Sequence, residues 1–263
     1  MRLFASIIAA ILLALVFISP ASAAAPRRRV VIVVGPVGAK TGYYKNIANG
    51  LASTARSYGA YVVKIYSPYA TWKRVKKLTQ GANLLIYLGH GNGWPSPYWP
   101  YNKYTKNGFG LNRSGGHGNY NVRYYGAYYV HKLDLAKNAV VLFNHLCYAS
   151  GSSEPGKGYP TLKVAEKRVD NYAAPFIHAG ARAVFAYAYS EGKKLIHDLF
   201  RSSKTMIQIF NTGTYATPRS YYYSHTSWHY KRFRLVLDPW HRRVYYRSFD
   251  GNKYLTATAW RNS

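Results

Sequence analysis

The order of elements along the chain predicts an α/β fold: a doubly wound, mainly parallel sheet followed by a C-terminal β-rich extension. Three observations carry it. Short, unbroken runs of β-prone apolar residues, VVIVV at 30–34, NLLIYL at 83–88 and AVVLF at 139–143, alternate with spans of helical character, as parallel βαβ units do. Two of these runs lead into chemically capable residues, His90 and Cys147, at the sheet edge where open α/β folds place their sites. From Asn211 the pattern changes to tyrosine-rich, strand-like runs parted by turn residues.

Taken in order, the first 23 residues read as an export signal. Arg2 is a minimal positive region, Leu3 to Ile18 is apolar apart from Ser6, and Ser19-Pro20 precedes an Ala21-Ser22-Ala23 cleavage pattern. The apolar run is long enough for an uncleaved anchor, but Arg27, Arg28 and Arg29 on its far side oppose that orientation. The expectation is therefore a secreted or cell-envelope protein of about 240 residues, cleaved near Ala23. Residues 24–210 are expected to form the α/β domain, with an insertion at 93–137, and residues 211–263 the Tyr-rich β-ribbon.

Arg29 to Val34 begins the sheet. A helix follows over Thr41 to Tyr58, with Thr41 as N-cap and Gly59 just past its end. The intervening Gly35-Pro36-Val37-Gly38-Ala39-Lys40-Thr41 superficially suggests a phosphate loop, but Ala39 stands where that motif needs glycine, so it reads as an ordinary turn. Ala60 to Tyr66 is the second strand, Thr71 to Thr79 a short basic helix, and Asn83 to Gly89 the strand that delivers His90.

The insertion from Gly93 to Lys137 is crowded with Trp and Tyr, and Pro95, Pro97 and Pro100 hold its first part extended. It reads either as a substrate-binding lid, with Trp94 nearest the site, or as a satellite core. After Cys147, Ser152 to Tyr159 is a polar loop. Pro160 to Gly180 is then a helix, Ala181 to Tyr189 a strand and Glu191 to Phe210 one amphipathic helix. Strand-like runs at 233–237, 244–248 and 254–257, separated by Asp238-Pro239 and Asp250-Gly251-Asn252, form the ribbon, as an added edge or a small subdomain.

Cys147 is the only cysteine of the 263 residues, so it has no disulfide partner within the chain. A thiol becomes a nucleophile when a base takes its proton, and an imidazole can do this and later protonate a leaving amine. If the two strands are neighbours, His90 and Cys147 meet at one sheet edge. The alternative is that Cys147 is simply a small buried hydrophobe.

An apolar strand ending in His90-Gly91, followed 57 residues later by one ending in Cys147, resembles the caspase/gingipain/legumain group of cysteine peptidases, the caspase-hemoglobinase fold. Ala174 to Tyr189, APFIHAGARAVFAYAY, is similar to the helix, Gly-Ala-Arg turn and strand that follow the cysteine in the gingipain-like and CHAT-type branches. The resemblance spans roughly Val30 to Phe200. It implies a thiol protease with Cys147 as nucleophile, His90 as acid/base and the backbone N–H groups of Gly91 and Cys147 as oxyanion donors. The resemblance supports the dyad and not a substrate pocket. Asn92, Trp94, Tyr148 and Ser150 are substrate-binding candidates by their nearness to His90 and Cys147 in the chain, and Glu154 lies where related peptidases often contribute to the pocket, as partner for a basic side chain or as a local counter-charge. Two departures stand out: Leu146 precedes the cysteine, and Tyr148-Ala149-Ser150-Gly151 is one residue longer than the CHAT-type Cys-x-Thr-Gly.

Composition points to partners. The formal charge is +28, with 28 tyrosines, and an exported surface of that sign attracts anionic cell-wall polymers or a membrane surface. A non-catalytic envelope protein binding anionic polymer or carbohydrate on the same scaffold is thus the alternative to a hydrolase acting on peptides or proteins. No cofactor is expected. His225, His229 and His241 lack a third and fourth ligand at metal spacing and read as solvated histidines. With eight acidic residues and no carboxylate cluster for Mg²⁺, a nuclease is not expected, nor is specific nucleic-acid recognition. The sequence leaves the oligomeric state open.

Overall fold

A computed structural model describes residues 27–93, 99–188, 192–217, 221–224, 232–241 and 243–263. Trp94, Glu191, His225 and His229 and the export segment lie outside the described residues, and so does any reading that falls on them.

The chain runs β1 (Arg29–Val34), α1 (Thr41–Ser57), β2 (Tyr61–Tyr66), α2 (Trp72–Leu78) and β3 (Ala82–Leu88). The insertion contributes β4 (Phe109–Asn112), β5 (Val122–Tyr125) and α3 (Ala127–Val130). There follow β6 (Leu135–Asn144), α4 (Leu162–His178), β7 (Ala181–Tyr187), α5 (Gly192–Arg201), α6 (Met206–Asn211), β8 (Tyr221–Ser224), β9 (Phe233–His241), β10 (Val244–Asn252) and α7 (Ala257–Arg261). Eight strands form one sheet in the order β2-β1-β3-β6-β7-β10-β9-β8, parallel from β2 to β7 and antiparallel beyond. The expected doubly wound, mainly parallel sheet is what forms.

Pleating explains how unbroken apolar strands serve two cores. In β1, Val31 and Val33 point to one face, with Leu85, Tyr87, Val141 and Phe143; that face is covered by α2, α3 and α4 through Val75, Val130, Tyr172 and Phe176. Val30, Ile32 and Val34 point to the other, packed with Leu51, Leu195, Met206 and Trp260 of α1, α5, α6 and α7. Trp260 satisfies its indole N–H on the Asn83 carbonyl (3.0 Å), tying the last helix under β3.

Four expectations are corrected. Thr41 does not cap α1 from outside: a 3₁₀ turn over Gly38–Lys40 precedes the helix, and the Thr41 hydroxyl accepts from Val37 N (3.0 Å) and donates to Gly38 O (2.7 Å). The single helix expected up to Phe210 is two, because Thr205 starts α6 with a capping box to Gln208. The 254–257 run is not a strand; Thr256 caps α7 through Ala259 N (3.0 Å). Neither Asp238-Pro239 nor Asp250-Gly251-Asn252 is a turn: the first lies within β9, where the buried Asp238 pairs with Arg247, and the second ends β10, paired with Leu235, Arg234 and Phe233.

The insertion joins the main core. The β4–β5 hairpin packs Phe109, Leu111 and Tyr125 with Tyr87 in the main core, whereas Trp99, Tyr104, Tyr120 and Tyr128 stay exposed. Trp72 of α2 stacks on Tyr125 at 5.6 Å. Among the described residues, no helix is long and apolar enough to cross a membrane.

Candidate active site

The chain passes from β1 to β2 on one side and then to β3 on the other, so the carboxyl ends of β1 and β3 form a switch point, with β6 next to β3. Tyr87 of β3 pairs with Phe143 of β6, and the segments leaving these strands carry His90 and Cys147. Their backbones touch. A Cβ on Gly91 would lie 2.5 Å from the Cys147 carbonyl oxygen and 2.7 Å from Leu146 Cδ1, so only glycine admits this approach.

His90 is backed by the insertion. The Gly110 N–H is shared between Tyr87 Oη (2.9 Å) and the His90 carbonyl (3.1 Å), and Tyr87 Oη donates to Gly110 O (2.8 Å). A Cβ on Gly110 would come within 2.9 Å of His90 Cβ. The hairpin therefore acts as the wall behind His90.

The segment carrying Cys147 is strained. His145 (φ 58°) and Tyr148 (φ 69°) both hold left-handed backbone without being glycine, a conformation that persists only where surroundings enforce it. His145 is held by its N–H to Tyr187 O (2.9 Å) and by Nδ1 against Asn144 Oδ1. Tyr148 is held by burial and by Arg168, whose guanidinium lies 4.9 Å from its ring centroid.

Cys147 is half-buried at the wall of a cleft of about 320 Å³, lined also by Lys40, Tyr44, His145, Tyr148, Ser153 and Tyr246. Burial, reinforced by the Glu154 carboxylate, pushes its thiol up to about 11, while its own backbone N–H and the Lys40 ammonium pull the other way. Burial lowers the pKa of His90, and the Glu154 carboxylate opposes that shift. His145 is lowered by burial alone. Near neutral pH the cleft thus holds a protonated thiol together with the unprotonated imidazole of His145. His90 does not line this cleft, and among the described residues no hydrogen bond joins it to Cys147.

The remaining candidates divide. Tyr148 and Ser150 line the cleft, but Ser150 Oγ donates to Tyr245 O (2.8 Å), a tie between the loop and β10. Glu154 is half-buried and its charge reaches His90, Cys147, Tyr148 and Arg168. Arg168 braces the loop from below through Gly151 O (3.0 Å) and Ser153 Oγ (3.1 Å). Asn92 is 1% exposed, lies outside the cleft and has neither side-chain polar atom bonded among the described residues. Its carbonyl accepts from Asn107 N (2.8 Å). No group of three or more His, Cys, Asp or Glu suited to a metal occurs among the described residues.

Sequence reasoning passed over Lys40, Tyr44 and His145. His145 stands two residues before Cys147 and was visible as Asn144-His145, whereas Lys40 comes from the turn after β1 and Tyr44 from the first turn of α1, which only the topology brings there.

No protein-family model matches the chain, and no curated protein does. Solved structures similar to it include two cysteine proteases. One is the Arg-specific cysteine proteinase gingipain R, at 11% identity and a TM-score of 0.39, covering 88% of this chain and 62% of that one. The other is a secreted C11 cysteine protease from Bacteroides thetaiotaomicron, solved with an irreversible peptide inhibitor, at 10% identity and a TM-score of 0.40, covering 81% and 66%. The chain thus spans less than two thirds of either.

Proposed function

We propose that this protein is an exported cysteine endopeptidase in which Cys147 attacks the scissile carbonyl and His90 moves the proton. The observation that carries this reading is the delivery of His90-Gly91 and Cys147 from neighbouring parallel strands, with the Gly91 and Cys147 backbones in contact.

The electrostatics support a neutral resting pair. An unprotonated His90 is ready to accept the thiol proton as the carbon–sulfur bond forms, and the resulting imidazolium gives that proton to the departing amine. Water then attacks the thioester carbonyl, His90 takes a proton from it, and the acid product leaves as the Cys147 thiol is restored. The N–H groups of Gly91 and Cys147 are the donors for the oxyanion of each tetrahedral intermediate.

Glu154 adds a reason for a basic substrate. Its carboxylate raises the Cys147 pKa, so a Lys or Arg side chain docked beside it offsets that charge and makes the thiol easier to ionise. Occupancy by the correct side chain thereby favours the attacking form. Tyr148 and Ser150 shape the wall around this position, Asn92 supports it from the buried side, and Trp94 belongs to the same proposal from sequence.

The test is turnover of fluorogenic peptides carrying Arg, Lys, Asp or Asn before the scissile bond. The expected result is preference for Arg or Lys, loss of that preference in Glu154→Gln, and no turnover in Cys147→Ala. Turnover that survives Cys147→Ala overturns the assignment.

A further inference from the structure

A second cleft, of about 590 Å³, opens in the insertion, away from Cys147. Its walls include Trp99, Asn102, Tyr104, Arg113, Arg123 and Tyr129. We propose that it is a binding site for an anionic polysaccharide, one whose sugar rings carry carboxylate, sulfate or phosphate groups.

Charge is the first argument. Arg113 and Arg123 are both exposed and occupy diagonal positions across the β4–β5 hairpin, because Leu111 pairs with Arg123 and Arg113 N bonds to Asn121 O (2.9 Å). Both guanidiniums act on Tyr125, which locates them in one neighbourhood. No Asp or Glu occurs anywhere from Arg27 to Leu133, so this half of the chain supplies no carboxylate to separate the pair. Two like charges held together in this way favour an anion between them.

Ring geometry is the second. Trp99 is 84% exposed, an apolar face of the size of a sugar ring presented to solvent at the cleft mouth. The tyrosines are differently engaged. Tyr129 meets Tyr125 at 5.1 Å and Tyr104 at 6.5 Å, both edge to face, and Lys103 covers Tyr104 at 5.3 Å. Rings that pack on one another cannot serve as a ladder for successive bases, which is what single-stranded nucleic acid needs. One free indole with hydroxyl and amide groups from Tyr104, Asn102 and Thr105 around it suits a saccharide instead.

The test measures binding of polygalacturonate, dextran sulfate, neutral dextran and oligothymidylate to the wild type, Cys147→Ala, Trp99→Ala, Arg113→Gln/Arg123→Gln and the charge-matched Lys76→Gln/Lys77→Gln on α2. The expected result is that Trp99→Ala and the arginine pair each weaken binding of at least one anionic polysaccharide by about tenfold or more. The lysine pair changes it by less than about threefold, Cys147→Ala leaves it unchanged, and neutral dextran does not bind. Polygalacturonate against dextran sulfate then separates carboxylate from sulfate as the preferred group. Equal losses for the two charge pairs, an inert Trp99→Ala, or tighter binding of oligothymidylate than of either anionic polysaccharide overturns the proposal. Trp99, Arg113, Arg123, Lys76 and Lys77 are all exposed, so an unchanged thermal midpoint accompanies those variants, and the result stands whatever becomes of the peptidase reading.

Discussion

Replacing Glu154 by Gln probes how the site holds its thiol at rest. The wild-type thiol is displaced from an ordinary value of 9.0 to about 11, burial first and Glu154 second. At any pH below both values this leaves about a hundredfold less thiolate than an ordinary thiol has. The more basic thiolate is the better nucleophile by about tenfold over that span, so the net expectation is labelling about tenfold slower than a free cysteine. The rate should keep rising beyond pH 9 rather than level off. Glu154→Gln removes one of the two raising causes and shifts the profile to lower pH. The assay is iodoacetamide modification of Cys147, followed by mass spectrometry from pH 6 to 10.5. His90→Ala should leave this resting rate within about twofold, since the imidazole takes the proton only as the bond to substrate forms. A plateau below pH 8, or a rate that collapses when His90 is removed, would mean a preformed thiolate–imidazolium pair and refute the neutral resting state.

Other consequences concern stability. Gly91→Ala forces a Cβ to within 2.5 Å of the Cys147 carbonyl and should cost about 1–3 kcal/mol, read as a lowered thermal midpoint. Arg247→Ala strands the buried Asp238 carboxylate and should cost about 3–5 kcal/mol in urea unfolding. Thr205→Ala breaks the α6 capping box at about 1 kcal/mol. His90, His131, His145 and His178 all have folded pKa values below the ordinary 6.5, so the unfolded chain binds more protons there. Stability is therefore full above pH 6.5 and falls as the pH drops through the folded values, which urea midpoints between pH 7.5 and 5 would register.

The strands delivering His90 and Cys147 were legible because parallel strands buried on both faces leave unbroken apolar runs, and β1, β3 and β6 do so. The break between α5 and α6 was legible too, in Thr205-x-x-Gln208, but the continuing apolar periodicity masked it. Asp238-Pro239 was misread for a different reason. Its turn-like composition is overridden by Arg247 on the neighbouring strand, and among the described residues β8 pairs with Arg234 to Leu237 and not with Pro239. Within the site, the placement of His145 depends on a left-handed backbone that no local pattern announces, and Lys40 and Tyr44 reach the cleft only through the crossing order of the sheet.

The central claim is that Cys147 and His90 act together on a peptide carbonyl. Its most direct test is trapping with a peptidyl acyloxymethyl ketone bearing Arg or Lys next to the reactive group, followed by peptide mapping. The account predicts a covalent adduct on Cys147 in the wild type, formation slowed by about 100-fold or more in His90→Ala, and only a small effect in His145→Ala. An adduct that forms equally fast without His90, or a Cys147 that the electrophile never modifies in the folded protein, would contradict it.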